Sequence, residues 1–413
     1  MKGHIRERSP GRWAIILDAQ GTAGKRKRKW HSFKGTKREA QIECARLISE
    51  MNSGEYVETS KLTIEQWIDQ WLETGAPGKR QKKVSQRTLE RYGQLLRTHI
   101  KPVLGDRLLQ KLTETEIDKV YADIEAKGTI APRTAHHVHV VFGSLLATAL
   151  RKRLIAVNPM IRVTVPNPDG QIADYDEMAD LEQDDIGEGL DEAELAALVA
   201  GFKPSSLYPI VALAAASGAR RNELLGLRWG DLDTEKKTLR IEWALEQTKK
   251  FGIRRKRPKT KRGWRTIGLD GATVTMLLAE KAKHQRLHAG IPDDVDVDLG
   301  LIRLPAGALM FPAIPEKGEE FSFITPRNPR NFSKEFARRA SLLGFGKTRF
   351  HDLRGCHGTA LLDAGIPIHT VAQRLGDDPA IVLRNYTKRR RTEKADTALS
   401  DAITALAAGF LKP

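Results

Sequence analysis

Cysteine is nearly missing from these 413 residues, which contain only Cys44 and Cys356. Two lone thiols build no disulfide framework, and without a CxxC pair they suggest no zinc site, so a reducing cytoplasm is the expected compartment. Long apolar runs are absent too: nothing approaches the ~20 residues of a membrane span, and MKGHIRERSPGRW lacks the hydrophobic segment of a secretory signal. Acidic charge is the scarcer sign, with 52 Asp and Glu against 69 Lys and Arg, a formal +17 at pH 7. Such a chain suits a polyanion, and with no membrane segment nucleic acid is preferred to a lipid surface.

What is present divides into stretches of different character. At about 150 residues per domain the length suggests two or three domains, and 40% hydrophobic residues supply their cores. Residues 1–57 read as a small α+β module: WAIIL is strand-like, KRKRKWHSF is a second strand after a turn, and Thr36 to Met51 has helical spacing of Ala40, Cys44, Leu47 and Ile48. The run Lys25, Arg26, Lys27, Arg28 and Lys29 is either a phosphate-contacting element or an exposed, merely soluble hairpin tip. Residues 58–165 carry four helical patterns separated by Gly75, Pro102, Gly105, Gly128 and Pro132. Lys82, Lys83, Arg87 and Arg91 cluster around the second helix, as expected of an all-α unit gripping a duplex. His136, His137 and His139 lie in the fourth helix with no Cys or carboxylate nearby, and are read as packed or solvated rather than metal-binding.

Between Arg162 and Lys203 there is no Lys or Arg, while twelve Asp and Glu fall between Asp169 and Glu194. Residues 166–190 therefore read as an acidic linker, solvated or shielding a basic surface. From 191 to 413 the pattern is mainly helical α+β with a small antiparallel sheet; TLRIEWALEQT and GWRTIGL read as strands flanking a basic turn that contains Arg255, Lys256 and Arg257.

Four stretches here carry groups that make chemical sense together. SGARRNELLGLRWGDLD places Arg220 beside Gly218, RPKTKRGWRTIGL holds Lys259 at a hairpin tip, FHDLRGCHGTALLDAGIP holds His351 and Arg354 one turn apart, and RLGDDPAIVLRNYTKRRR carries Tyr386. Asp378 and Pro379 suit the start of that last helix, which puts Tyr386 about two turns in. Two guanidinium forks hold nonbridging phosphate oxygens bidentately; a lysine protonates a leaving 5′ oxygen, an imidazole relays a proton, and a tyrosine attacks phosphorus. With an unperturbed pKa of about 10, only about one tyrosine in a thousand is phenolate near neutral pH, so neighbouring cations have work to do.

In order and spacing these boxes resemble the tyrosine recombinases of the phage integrase family. The resemblance implies Arg220 and Arg354 as catalytic arginines, Lys259 and His351 as proton-handling groups, Tyr386 as nucleophile and Glu223 as a supporting acid. It implies an arm-type DNA-binding module in 1–57, a helical core-binding (SAM-like) domain in 58–165 and the catalytic domain in 191–413. Double-stranded DNA attachment sites, a homotetramer on DNA and a directionality factor are the implied partners, in a bacterial cytoplasm, with no metal or other cofactor. One residue departs from the pattern. After Leu375 and Gly376 the family usually has a histidine or tryptophan that hydrogen-bonds the scissile phosphate, where this chain has Asp377. An anionic aspartate repels phosphate, so Asp377 is expected protonated, turned away or bonded to an arginine; His357, on a different helix face from His351, is a poor replacement.

The resemblance implies an integrase that cuts and rejoins DNA through a 3′-phosphotyrosyl bond. Two other readings stay open: a DNA-binding member idled by Asp377, and a type IB topoisomerase, which shares the Arg, Lys, His and Tyr chemistry. The apolar C-terminal run TALSDAITALAAGFLKP docks on a neighbouring protomer or packs on its own domain.

Overall fold

The computed structural model describes residues 3–20, 26–53, 56–78, 82–164, 190–258, 261–316 and 318–386, with backbone alone for residues 19, 20, 26, 27, 261 and 384–386. These divide into two compact units, one within 1–179 and one within 180–413. They are mainly helical with small antiparallel sheets, and among them no helix is long and apolar enough to cross a membrane. Lys25, Lys259, residues 165–189 of the acidic stretch and the C-terminal run lie outside the described residues.

The first unit opens with an antiparallel sheet of β1 (Gly3–Ser9), β2 (Arg12–Gln20) and β3 (Arg26–Lys34), followed by α1 (Lys37–Ser53). Ile15 and Leu17 of β2 pack against Cys44 and Leu47 of α1, with Ile5 and Phe33 at the margin. β1 is an addition to the strands expected from the sequence. In GHIRERS, Ile5 is the one aliphatic side chain, so the alternation is faint, and the strand forms because β2 supplies its ladder. The helices that follow are α2 (Ile64–Glu73), α3 (Gln86–Leu95), α4 (Lys101–Leu104), α5 (Glu114–Lys127) and α6 (Pro132–Arg151). Reciprocal capping boxes at Thr63 with Gln66 and at Thr113 with Glu116 start α2 and α5. Where one continuous second helix was expected, a π-helical stretch, Leu96–Ile100, joins α3 to α4. Pro102 lacks the N–H that would reach the Thr98 carbonyl, so the helical ladder is interrupted there and the turn widens. Trp71, fully buried, stacks flat on Tyr92 with ring centroids 5.9 Å apart.

The second unit runs α7 (Glu192–Gly201), α8 (Tyr208–Ser217), the short α9 (Arg221–Leu224), β4 (Leu232–Asp233), β5 (Thr238–Ile241), β6 (Ala244–Thr248), β7 (Gly252–Lys256), β8 (Arg265–Gly268), α10 (Gly271–Ala289), α11 (Pro329–Leu342), α12 (Asp352–Asp363), α13 (Ile368–Leu375) and α14 (Pro379–Tyr386). Its core joins Ile210 and Leu213 of α8, Leu239 and Ile241 of β5, Leu277 of α10, Phe336 of α11 and Leu353 of α12. TLRIEWALEQT is not one strand: it breaks after Ile241 into β5, in a sheet ordered β4-β5-β8, and β6, paired with β7. The basic stretch read as a turn contains β7. Its charge is tolerated because Glu246 on β6 faces Arg254 across the ladder and takes hydrogen bonds from Arg254 Nη2 at 2.8 Å and Lys256 Nζ at 2.7 Å.

Truncating a fully buried aromatic of the first unit tests where that unit's stability lies. Trp71→Ala is expected to lower its unfolding free energy by about 3–5 kcal/mol, read as an earlier chemical-denaturation transition, whereas trimming exposed Val103 should change it by less than about 0.5 kcal/mol.

Candidate active site

The cluster starts where α8 stops. Gly218 terminates that helix in the left-handed region at φ +63°, and an added Cβ would lie 2.7 Å from both the His357 ring and Leu375. Glycine alone satisfies the backbone angle and the packing together. The chain leaves this turn with Ala219 buried and Arg220 at the N-cap of α9.

Glu223, one turn on, is 3% exposed. Its Oε2 accepts from the Arg220 backbone N–H at 2.9 Å, and its Oε1 accepts from Arg220 Nη1 at 3.1 Å. From β8, Arg265 closes a two-pronged fork on the same carboxylate, Nη1 to Oε1 at 3.1 Å and Nη2 to Oε2 at 2.8 Å. Burial alone would push the Glu223 carboxyl up, but the Arg265 and Arg220 guanidiniums outweigh it and hold the group far below the ordinary carboxylate range. Arg265 Nε reaches on to the Arg374 carbonyl at 2.7 Å, which ties the end of α13 to β8.

Arg354, on the first turn of α12, is 2% exposed. Its Nη1 donates to the Gly218 carbonyl at 2.7 Å, and its Nη2 to the Leu375 carbonyl at 2.9 Å and to Asp377 Oδ2 at 2.5 Å. The other oxygen of Asp377, Oδ1, accepts from Arg220 Nη2. One carboxylate therefore bridges the two arginines. Gly376, at φ +71°, makes the sharp exit from α13 that brings Asp377 back to them, and a Cβ there would sit 2.9 Å from Arg265 Nη1. Behind the cluster, His357 Nδ1 bonds the Ala215 carbonyl at 2.9 Å while its Nε2 accepts from Arg374 Nε at 2.9 Å. Burial first, then the Arg374 charge, push the His357 imidazole down to about 4, so it is neutral near pH 7.

Arg220, Glu223, Arg354 and Asp377 thus meet in one network. His351 stands at the N-cap of α12, one turn before Arg354 and partly exposed. Asp378 accepts from the Ala380 N–H at 3.1 Å at the start of α14, whose backbone ends at Tyr386 and which packs on α12 and α13. The Tyr386 side chain and all of Lys259 lie outside the described residues. Arg265, Arg374 and the framing role of His357 escaped the sequence reading. For Arg265 a signal existed: it stands two residues before buried Ile267 on β8, so period-2 alternation turns it inward, and an inward arginine needs a buried acid.

The basic candidates divide. Lys82, Lys83 and Arg87 are exposed around the start of α3, and Arg91 is partly buried with Nη1 3.1 Å from Gln94. Arg28 pairs with Asp18 at 3.4 Å; Lys29 lies over the Tyr56 ring at 4.4 Å. Of Arg26 and Lys27 the backbone alone is described, within β3. Arg255 is largely covered and 3.5 Å from Asp231, Lys256 is held by Glu246, and exposed Arg257 lies 5.2 Å from the Trp243 ring and 4.9 Å from the Trp264 ring. A further basic face, unseen in the sequence, appears once β1 is in place. On the side of the first sheet away from α1, exposed Arg6, Arg8, Arg12, Arg28 and Lys34 surround Trp30, 53% exposed, with Arg8 over its ring at 5.7 Å. In α6, His139 is pushed down to about 4 by burial and its ring stands 5.5 Å from that of Tyr121; among the described residues no group of His, Cys, Asp and Glu is placed to hold a metal.

Residues 63–124 match the family described as phage integrase, N-terminal SAM-like domain. A tyrosine recombinase XerC-like protein of Caldanaerobacter subterraneus subsp. tengcongensis is 26% identical over 224 residues, 51% of this chain and 53% of its own. The chain thus spans about half the length of that relative. Among solved structures, a Tn1549 transposon integrase fragment in complex with transposon right end DNA superposes with a TM-score of 0.60 at 15% identity, covering 83% of this chain and 100% of that one. A lambda integrase tetramer bound to a Holliday junction gives 0.54 at 16% identity, covering 94% and 97%. At such identities the likeness is one of fold.

The ionic cluster makes two outcomes measurable. Arg265→Ala strips Glu223 of its two-pronged partner and should destabilise the second unit by about 3–5 kcal/mol in chemical denaturation. His357 is depressed from 6.5 to about 4 when folded, so the unfolded chain binds its proton first as pH falls. Its contribution is intact above about pH 6.5 and is lost towards pH 4, roughly 3 kcal/mol in all; His357→Gln should flatten that part of the stability profile.

Proposed function

We propose that this member of the tyrosine recombinase family is a site-specific DNA recombinase, the integrase of a phage or other mobile element, cutting and rejoining DNA through a 3′-phosphotyrosyl intermediate without metal or ATP. The observation that carries this reading is the convergence of Arg220 and Arg354, from segments far apart in the chain, on a single anion. Two guanidiniums so arranged suit the nonbridging oxygens of a phosphodiester and the charge that grows on them in the transition state.

In this mechanism the Tyr386 oxygen attacks phosphorus and the bond from phosphorus to O5′ breaks. Lys259 donates its proton to the leaving O5′, and His351 takes the phenol proton. The phosphotyrosyl ester keeps the energy of the broken bond, so the 5′-hydroxyl of a partner strand attacks it and releases Tyr386 without a nucleotide. Glu223 is a supporting acid that anchors Arg220. Exchange of paired strands calls for four protomers on DNA, a reading supported by the tetrameric lambda integrase of like fold. The basic face around Trp30 and the exposed Lys82, Lys83 and Arg87 are the proposed duplex contacts; a directionality factor would act on the N-terminal module, all in a bacterial cytoplasm. The second reading, an idle DNA-binding member, draws on the Asp377 bridge, which covers the phosphate-binding arginines.

A nicked duplex bearing the attachment site, incubated with chelator and without ATP, should yield a protein–DNA adduct on a denaturing gel with wild type and none with Tyr386→Phe. Site binding without an adduct from either protein would favour the idle reading. On the sheet face, Arg6→Ala, Arg8→Ala and Arg12→Ala each remove one phosphate-binding cation. Each should reduce the slope of log affinity against log salt by about 0.9, measured by fluorescence anisotropy.

A further inference from the structure

The geometry points to Asp377 as a resident anion that occupies the phosphate position between Arg220 and Arg354 and must be displaced before a phosphodiester binds. The inference rests on the recombinase reading for the identity of the incoming group, and on the structure for what stands in its way. Asp377 presents one oxygen to each arginine, Oδ1 to Arg220 Nη2 and Oδ2 to Arg354 Nη2. A carboxylate's two oxygens lie about as far apart as two nonbridging oxygens of a phosphate, so the bridge imitates the contact a phosphodiester makes.

Competition follows from the supply of donors. The Arg354 side chain is 2% exposed, and both protons of its Nη2 are committed, one to the Leu375 carbonyl and one to Asp377. One of the two Nη1 protons goes to the Gly218 carbonyl. The two carbonyls are backbone atoms fixed by Gly218 and by the end of α13; the carboxylate is the one partner that side-chain rotation can remove. Arg220 is placed likewise, with Nη1 on Glu223 and Nη2 on Asp377, its side chain 35% exposed. A phosphate cannot sit beside a retained Asp377 carboxylate without like-charge repulsion in a poorly hydrated site. Arg262, paired with the neighbouring Asp378, flanks the same short link to α14, so the segment that releases Asp377 leads directly into the helix that ends at Tyr386. In the DNA-free protein the bridge keeps the buried Arg354 guanidinium and the half-buried Arg220 guanidinium neutralised and aligned, and duplex binding exchanges an internal anion for an external one.

The test titrates the full-length protein with inorganic phosphate by isothermal calorimetry, comparing wild type with Asp377→Asn, Asp377→His and Asp363→Asn. Asp363 is exposed on α12, so its substitution changes net charge equally without touching the bridge. Removing the resident anion should tighten phosphate binding at least tenfold in both Asp377 variants and leave Asp363→Asn at the wild-type value. Equal affinity in wild type and the Asp377 variants overturns the inference, as does an equal gain from Asp363→Asn. Should Asp377→Asn fail to fold by thermal melting, Asp377→His carries the comparison. On the nicked duplex the Asp377 variants should form adduct faster than wild type; slower formation overturns the inference by making Asp377 a group the reaction needs. A phosphate gain with no adduct from any variant supports the resident anion while rejecting the recombinase reading.

Discussion

Glu223 carries a charge with almost no access to water, and the second unit is arranged around making that tolerable. Desolvating a carboxylate costs several kcal/mol unless its oxygens are fully bonded and its charge matched. Here two guanidiniums and a backbone N–H supply the bonds. Because Arg265 is on β8 and Arg220 begins α9, this one acid locks a sheet to the turn that follows α8. The onward bond from Arg265 to the Arg374 carbonyl extends the lock to the end of α13. Arg220 of the proposed phosphate site is thereby held in place before any substrate arrives, and Arg354 is held separately by the Gly218 and Leu375 carbonyls, which is what electrostatic preorganisation requires.

The glycines at the two helix ends belong to the same constraint. Gly218 and Gly376 each take a left-handed conformation and each lie against groups that leave no room for a Cβ. The first turns its carbonyl to Arg354, and the second returns the chain so that Asp377 meets both arginines. Neutral His357 beneath them accepts from Arg374 rather than competing for the anion, a role open to it only while burial keeps its proton off. In the proposed reaction, proton handling falls instead to groups nearer the surface, of which His351 at the N-cap of α12 is one.

Much of the architecture was legible because helical periodicity and helix-start signals are local. The capping boxes at Thr63 and Thr113 and the Gly and Pro punctuation of 58–165 are written within a few residues, and the helices appear where those signals stand. The strands were harder, since a strand depends on its neighbour: β1 has scarcely any pattern of its own, and the charge of β7 reads as a turn until Glu246 is seen across the ladder. The π-helical stretch before Pro102 is a backbone adjustment with a local cause but no hydrophobic signature.

By themselves the residues determined the chemistry on offer: a basic chain, a set of boxes placing Arg220, His351, Arg354 and Tyr386 in order, and an aspartate where that order usually has a neutral or cationic donor. They determined it because motif spacing on helices decides which side chains share a turn. The partners were decided only by the tertiary structure. That Arg265 is the main counter-charge of Glu223, that Trp30 stands amid arginines on an open sheet face, and that Asp377 bridges the two arginines all involve residues far apart in the chain, and a buried charge is matched only when packing has chosen what surrounds it.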